Sequence, residues 1–554
     1  MNKSPILWVA RRVRRRLPGI FFMTAMQVVN AILSVYFALG TRGVIDAAIA
    51  KDLSLFWWAC GKQAAIIAGI LVSMTLQRHL RDRLHADLER DWKRKLLHGL
   101  LHGDYAAVSA YHSGELLNRL NNDVNRVNDG VLSILPNAAA MVTRLVAAIV
   151  VLGTLDARFT LVVLALGVVV LVATAVMRRK LKELNKRVST LDGKVSGFLQ
   201  ETMEKLLMVQ TMDVANEVEN RAEVLLKDRY ELQRKRKNVS LLTNTGISLM
   251  SYAAGFLALC WCAWQMLHGR MSFGSLTAVT QLVGQLQAPL VNLSGVMPQY
   301  VAMTASAERL MELDAIQGEP APVGEEASAL YGRMNGICAR ELSFAYDRDR
   351  VLENAAFVLP KGSFAVITGP SGIGKSTLLK LLLGVFRPES GGLYLDCGRE
   401  QVLLDRSTRR LFAYVPQGNL LLSGTLRENL TIVRPEASEE ELQQAIHVSA
   451  MEDFLPQLPM GLDTPLGESG AGLSEGQAQR VAIARAVLGG APVLLLDECT
   501  SALDAVTEQK VLARIRALPG RTTIAVTHRP AAMELCDWQL QADGGKIHAI
   551  DRRK

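Results

Sequence analysis

The chain has 554 residues and a formal net charge of +9; it is 49% hydrophobic, 21% charged and only 6% aromatic. That is too long for one ordinary domain. Its seven cysteines, Cys60, Cys260, Cys262, Cys338, Cys397, Cys499 and Cys536, are too scattered for a disulfide scaffold or a metal finger, which leaves reduced thiols of a cell interior. No basic stripe with interleaved aromatics is present, so no nucleic-acid partner is expected.

Six windows read as bilayer-spanning: Leu17–Gly40, Leu53–Leu76, Ile134–Leu155, Thr160–Met177, Leu241–Leu267 and Met271–Met303. Each reaches the roughly 20 residues that cross about 30 Å of hydrocarbon, the fourth lying near the lower limit. None contains an aspartate or glutamate. The apolar run after Arg16 is too long for a cleavable signal and lacks a small-residue cleavage site. Lys3, Arg11, Arg12, Arg14, Arg15 and Arg16 precede the first span, and Arg78, Arg81, Arg83, Arg90, Lys93, Arg94 and Lys95 follow the second. The turns at Asp156–Arg158 and His268–Arg270 are short. By the positive-inside rule both termini are cytoplasmic, in a bacterial-type inner membrane whose bilayer is the first partner.

After the fourth span, Leu181, Leu184, Val188, Leu191, Val195 and Phe198 recur at three- and four-residue steps. That period predicts an amphipathic helix running out of the membrane, one of two long cytoplasmic arms. Residues 314–335, with Pro320, Pro322, Glu319, Glu325 and Glu326, read as a linker. The expected layout is a transmembrane domain over 1–313, this linker, and a nucleotide-binding domain over 336–554.

Beyond the linker, short β-rich runs alternate with helices. S-F-A-V-I-T (363–368) leads into G-P-S-G-I-G-K-S-T and then a helical L-L-K-L-L-L-G. Strand, glycine loop and helix together define a P-loop, formed here by Gly369, Pro370, Ser371, Gly372, Ile373, Gly374, Lys375, Ser376 and Thr377. Its amides cradle phosphate oxygens at a helix N-terminus, Lys375 neutralises the β- and γ-phosphates, and Ser376 ligates Mg²⁺. ATP and Mg²⁺ are thus the expected cofactors. The apolar run Pro492–Leu496 suits a strand buried on both faces. It ends in Asp497, a Mg²⁺ partner, and Glu498, which is placed to activate water for attack on the γ-phosphate. T-T-I-A-V-T (522–527) ends at His528, a donor to the transferred phosphoryl.

These motifs, with Gln417 in Y-V-P-Q-G-N, L-S-E-G-Q at 473–477, S-A-L-D at 501–504 and six spans ahead, resemble a half-size ABC exporter over nearly the whole chain. The resemblance implies a type IV fold: an all-α six-helix transmembrane domain plus an α/β P-loop ATPase domain with a helical subdomain. It implies that Tyr346 stacks on adenine and that Gln417 senses both Mg²⁺ and the membrane arms. It places Ser501–Asp504 between two ATP sites, and coupling helices near residues 122–127 and 211–219. In this family the signature loop of one subunit closes on ATP held by the other, so a second half-transporter is implied. Ser474 and Gln477 have capping-box spacing, marking a helix start aimed at an anion. Gly476 is the glycine that must approach closely, and Glu475 stands where the family usually has glycine. An acid in the first helical turn suits the dipole if it faces solvent and would repel ATP if it faced the phosphate. Import on the same fold, and an ATP-gated channel or regulatory subunit, remain alternatives. The absence of a peptidase segment before the spans argues against leader-peptide processing.

Arg144 in the third span and Lys62 in the second are costly at such depth and have no carboxylate in any window to pair with. Gln281, Gln285, Asn292 and Gln299 share one face of the sixth span. Two readings stand: bonds between helices with Lys62 reaching outward, or an electropositive cavity for an anionic cargo.

Overall fold

The computed structural model describes residues 4–316, 318, 327–346, 349–418, 421–467, 470 and 472–553, with only the backbone described at 170–171, 173–180, 182, 247 and 287–295. They form two compact units, Met1–His98 with His112–Ala315, and Gly99–Tyr111 with Ile316–Lys554.

The first unit is helical: α1 (Pro5–Val13), α2 (Leu17–Ile49) and α3 (Leu53–His102) lead to α4 (Tyr105–Ser109), which belongs to the second unit. The first unit resumes with α5 (Ser113–Asn118), α6 (Val124–Leu155), α7 (Ala157–Glu204), α8 (Leu206–Thr211), α9 (Ala215–Leu267) and α10 (Phe273–Asp314). The six expected spans fall in α2, α3, α6, α7, α9 and α10. Four helical runs among the described residues, Pro5–Ile49, Leu53–His102, Ser113–Leu155 and Ala215–Leu267, are long and apolar enough to cross a membrane. The tight turns far from the basic segments are pinned by acids. Asp156 accepts the amides of Arg158 and Phe159, both at 3.0 Å, and the indole N–H of Trp261 at 2.9 Å. Asp46 accepts the amide of Gly274 at 3.0 Å and the Ser272 hydroxyl at 3.0 Å, tying α2 to the start of α10.

At the other end, Asp123 is 1% exposed and accepts from Ser306 Oγ at 2.9 Å and from Arg309 Nε at 2.8 Å. Arg119, also buried, reaches Glu312 at 2.8 Å and Glu115 at 2.7 Å. These pairs fasten the entry of α6 to α10. They also correct the coupling-helix expectation at 122–127, because Arg119–Asp123 forms a wide helical turn that continues into α6. The short helix in this connection is α4, capped by Asp104 on the amide of Ala106. The second expected segment, 211–219, straddles the end of α8, a turn at 212–214 and the start of α9, with α8 the short helix beside it.

The second unit contains α11 (Ala327–Arg333), β1 (Gly336–Tyr346), β2 (Asp349–Pro360), β3 (Phe364–Thr368), α12 (Lys375–Leu382), β4 (Ser390–Asp396), β5 (Gln401–Leu403), β6 (Phe412–Val415), β7 (Gly424–Thr425) and α13 (Leu426–Thr431). After these come α14 (Glu439–Val448), β8 (Pro465–Leu466), α15 (Glu475–Leu488), β9 (Val493–Asp497), α16 (Ala505–Arg516), β10 (Thr522–Val526), α17 (Pro530–Leu535), β11 (Trp538–Asp543) and β12 (Lys546–Asp551). Strands β11, β3, β10, β9 and β6 run parallel in a six-stranded sheet edged by antiparallel β12; β2, β1, β4 and β5 form an antiparallel sheet. Alternation along the central strands splits their side chains between two cores. Phe364, Val366, Leu494 and Leu496 pack with α13–α16, while Ala365, Ile367, Val493 and Leu495 pack with α12 and the antiparallel sheet. Burial on both faces is why these strands read as unbroken apolar runs.

Candidate nucleotide site

Three central strands deliver chemistry at their C-terminal ends, the edge where open parallel sheets bind ligands. After β3 the glycine loop turns into α12, whose first turn has no side-chain cap. Gly374 has φ +103°, and a Cβ there would lie 2.3 Å from a methyl of Val351, so only glycine fits. Lys375 is buried, and its Nζ donates to the carbonyls of Gly369 at 2.7 Å and Pro370 at 2.9 Å. The ammonium is held inside the curl of the loop, where phosphate charge would sit.

Asp497 closes β9 at 2% exposure. Ser376 Oγ donates to it at 3.0 Å and Tyr414 Oη at 3.1 Å. Burial raises its pKa, and the Glu498 charge adds to this against the two hydroxyl bonds. Partial burial raises the pKa of the half-buried Tyr414 phenol, and the same carboxylate adds to this. Glu498 has φ +48°, in the left-handed region. Its amide donates to Val526 of β10 at 3.0 Å, and its Oε2 accepts from Gln417 Nε2 at 2.8 Å. Backbone strain of this kind persists where surroundings over-determine it, as they do here. Exposed His528 lies two residues past the end of β10. Lys375, Ser376, Gln417, Asp497, Glu498 and His528 therefore share one sheet edge.

The signature segment has the capping geometry read from its sequence. Ser474 Oγ accepts the amide of Gln477 at 3.3 Å, and Gln477 Oε1 accepts the amide of Ser474 at 2.9 Å. Glu475 is exposed in the first turn of α15. Gly476 lies against the 501–504 loop: an added Cβ would meet Ala502 O at 2.8 Å. Among the described residues, no hydrogen bond joins 474–477 to the P-loop.

Comparison with known proteins matches residues 18–290 to the family described as ABC transporter transmembrane region and residues 352–501 to that described as ABC transporter. The chain belongs to the ABC transporter family. Its fold superposes on a bacterial Atm1-family ABC exporter with ATP bound, with a TM-score of 0.78, 25% identity and coverage of 97% of this chain and 95% of that one. It is 28% identical to the ATM1-type heavy metal exporter of Novosphingobium aromaticivorans over 98% of this chain and 90% of the relative. It is 32% identical to the cyclolysin secretion/processing ATP-binding protein CyaB of Bordetella pertussis over 70% of this chain, and spans 55% of that longer protein.

In this ABC transporter several positioning residues carry no motif signal of their own. Gln479, one helical turn after Gly476's neighbour Glu475, donates to Ser501 Oγ at 3.0 Å and accepts the amide of Ala502 at 3.1 Å. Arg529, beside His528, donates to Leu503 O at 2.8 Å, to Ser501 O, and to the buried Glu508 at 3.2 Å. Both hold the 501–504 loop, whose Asp504 caps α16 on Thr507. That amide holds the Asp504 carboxyl below its ordinary value. Tyr346 is half-exposed, with its ring edge-on to Phe344 at 4.9 Å and Phe386 at 5.4 Å, and its hydroxyl 3.3 Å from Thr377. An aromatic face near the loop's helix is thereby fixed.

The polar residues of the spans divide. Lys62 is exposed, with its ammonium over the Trp58 ring. Gln285 donates to Ser34 O at 2.7 Å, and Gln299 to Ser133 Oγ at 2.6 Å, both bonds between helices. Arg144 is half-buried, and its Nε has no partner. Gln281 is half-buried, and the Asn292 side chain lies outside the described residues.

Proposed function

We propose that this chain is one half of an ATP-driven exporter, set in a bacterial-type inner membrane with both termini cytoplasmic. The observation that carries the reading is the shared edge of β3, β9 and β10. There a phosphate loop, a bond from Ser376 to the buried Asp497 and a strained Glu498 meet, while the chain's own signature helix is not bonded to that loop. One copy supplies two half-sites, so catalysis requires a second half-transporter, with a second copy favoured over a different chain.

The hard oxygen donors Ser376 and Asp497, with Gln417 nearby, fit Mg²⁺, whose chemistry in such sites is to bind phosphate oxygens and neutralise developing charge. Lys375 binds the β- and γ-phosphates, and Tyr346 offers its face to the base. Gln417 orients Glu498, which takes the proton of the attacking water, and His528 donates to the phosphoryl in flight. Ser474, Gly476 and Gln477 of the partner close the site, and Asp504 lies between the two. Exposed Glu475 supports the reading in which its charge turns to solvent.

An anionic cargo is a second reading, favoured by Arg144 alone, since Lys62 is held over the Trp58 ring and Gln285 is engaged by Ser34. Arg144→Ala should then weaken stimulation by acidic peptides or anionic chelators without changing basal turnover. The principal test is Glu498→Gln in purified chain in proteoliposomes: ATP binding is kept while hydrolysis falls about 100-fold or more. Near-parental hydrolysis would remove Glu498 from its role, and flux of labelled candidates in both directions separates export from import.

A further inference from the structure

The basic residues flanking the first two spans do more than set orientation. Orientation needs only total charge, yet Arg11, Arg12, Arg15 and Arg16 converge with Arg94 and Lys95 on one cavity of about 680 Å³ in the first unit. Arg12 is paired with Asp314, and Arg16 with Asp87 at 2.9 Å and Asp91 at 3.2 Å. Arg11, Arg15, Arg94 and Lys95 are exposed, and no carboxylate among the described residues pairs with any of them. Asp91 lines the same cavity and the Asp314 carboxyl feels the charge of Lys95, but the cations outnumber these acids, and a polyvalent anion offsets the remaining repulsion.

The location narrows the anion. Arg16 immediately precedes Leu17, which opens the first span, and α2 exposes Phe21 and Phe22 one turn further on. Helix α1 itself exposes Ile6 and Leu7. Apolar side chains thus flank a basic hollow next to the bilayer, the pattern that recognises acidic headgroups. The hollow is also joined to the helix that leads into the ATPase unit. Trp8 packs on Trp92 at 5.1 Å and donates to Asp314 Oδ2 at 2.9 Å, and Asp314 is the last residue of α10.

We propose that this cavity binds the phosphate-bearing headgroup of an anionic phospholipid of the cytoplasmic leaflet, and that occupancy steadies the join between α1 and the end of α10, raising ATP turnover. The inference rests on the orientation and ATPase proposed above. The test uses the full chain in nanodiscs of phosphatidylcholine with graded phosphatidylglycerol, reading Mg²⁺-dependent ATPase and, by native mass spectrometry, retained lipid. The parent should be stimulated by phosphatidylglycerol and retain it. The variant Arg11→Gln/Arg15→Gln/Arg94→Gln/Lys95→Gln should match the parent in pure phosphatidylcholine. Its affinity for the anionic lipid should fall roughly fivefold for each charge removed. Lysine at the three arginine positions should restore the response, and Lys235→Gln/Lys237→Gln, on α9, should leave it intact. The proposal is overturned by equal phosphatidylglycerol response in parent and fourfold variant, by equal loss in the α9 control, or by inorganic phosphate or glycerol phosphate reproducing the stimulation without anionic lipid. Absent ATPase with charge-dependent lipid retention would instead refute the catalytic reading and leave this site standing.

Discussion

Asp497 shows how a proposed Mg²⁺-binding group is held at the expense of stability. Its pKa is raised in the folded chain by burial and by Glu498. A carboxyl raised above its unfolded value of about 3.9 contributes most stability below that pH and loses it as pH rises through the folded value. Ionising the group therefore costs stability, a cost that the proposed Mg²⁺ would offset. Asp497→Asn should raise the melting temperature of the nucleotide-free protein by a few degrees, about 1 kcal/mol, while abolishing Mg²⁺-dependent hydrolysis. Scanning fluorimetry with an ATPase assay checks both, and a lower melting temperature would refute the burial argument. Arg529 is the complementary case, since its guanidinium neutralises Glu508 at 3% exposure and bonds two carbonyls of the 501–504 loop. Arg529→Gln should destabilise the second unit by about 1–3 kcal/mol, below a fully buried pair because Arg529 is one-third exposed. It should depress hydrolysis more than ATP binding. The sequence displayed Asp497 at a strand end, but nothing in it marked Arg529 or Tyr414, whose roles come from distant elements meeting.

At the scale of elements, the join between α6 and α10 is electrostatic. Burial opposes ionisation of Asp123, but bonds from Arg309 and Ser306 win and hold its carboxyl below the ordinary value. A depressed carboxyl contributes stability above its unfolded value of about 3.9 and loses it as pH falls through the folded value. The join should therefore be insensitive to pH from about 5 to 8 and loosen only below roughly pH 4. Asp123→Asn should cost about 1–3 kcal/mol at pH 7, discounted because Arg309 is partly solvated. That cost should shrink toward pH 3, as pH-resolved thermal melts would reveal. The long helices themselves were legible, since apolar windows and a three- and four-residue period give length and face. The short connections were not. The expected coupling segment at 122–127 lies inside a continuous helical run, because Arg119 and Asp123 found partners nearly two hundred residues away.

At the scale of the whole molecule, the proposed function gives each copy half of two sites. Lys375→Ala copies and Ser474→Arg copies should each be inactive alone. Mixed before reconstitution, they should regain roughly a quarter of parental turnover, since half of random dimers hold one intact site of two. Activity that never returns on mixing, yet appears with a second kind of chain, would establish a heterodimer.

The sequence by itself determined the span windows, the charge asymmetry across them, the strand–loop–helix of the phosphate site and the capping box of α15, because each is a local pattern within one element. Tertiary structure decided which of the polar span residues are engaged. Gln285 and Gln299 bond neighbouring helices, Lys62 turns to Trp58, and Arg144 keeps an unpartnered nitrogen. It also decided how Glu498 is held, between the β10 backbone and Gln417, and which arginines compensate buried acids. Such pairings depend on distances between segments far apart in the chain, and one-dimensional order carries no record of those distances.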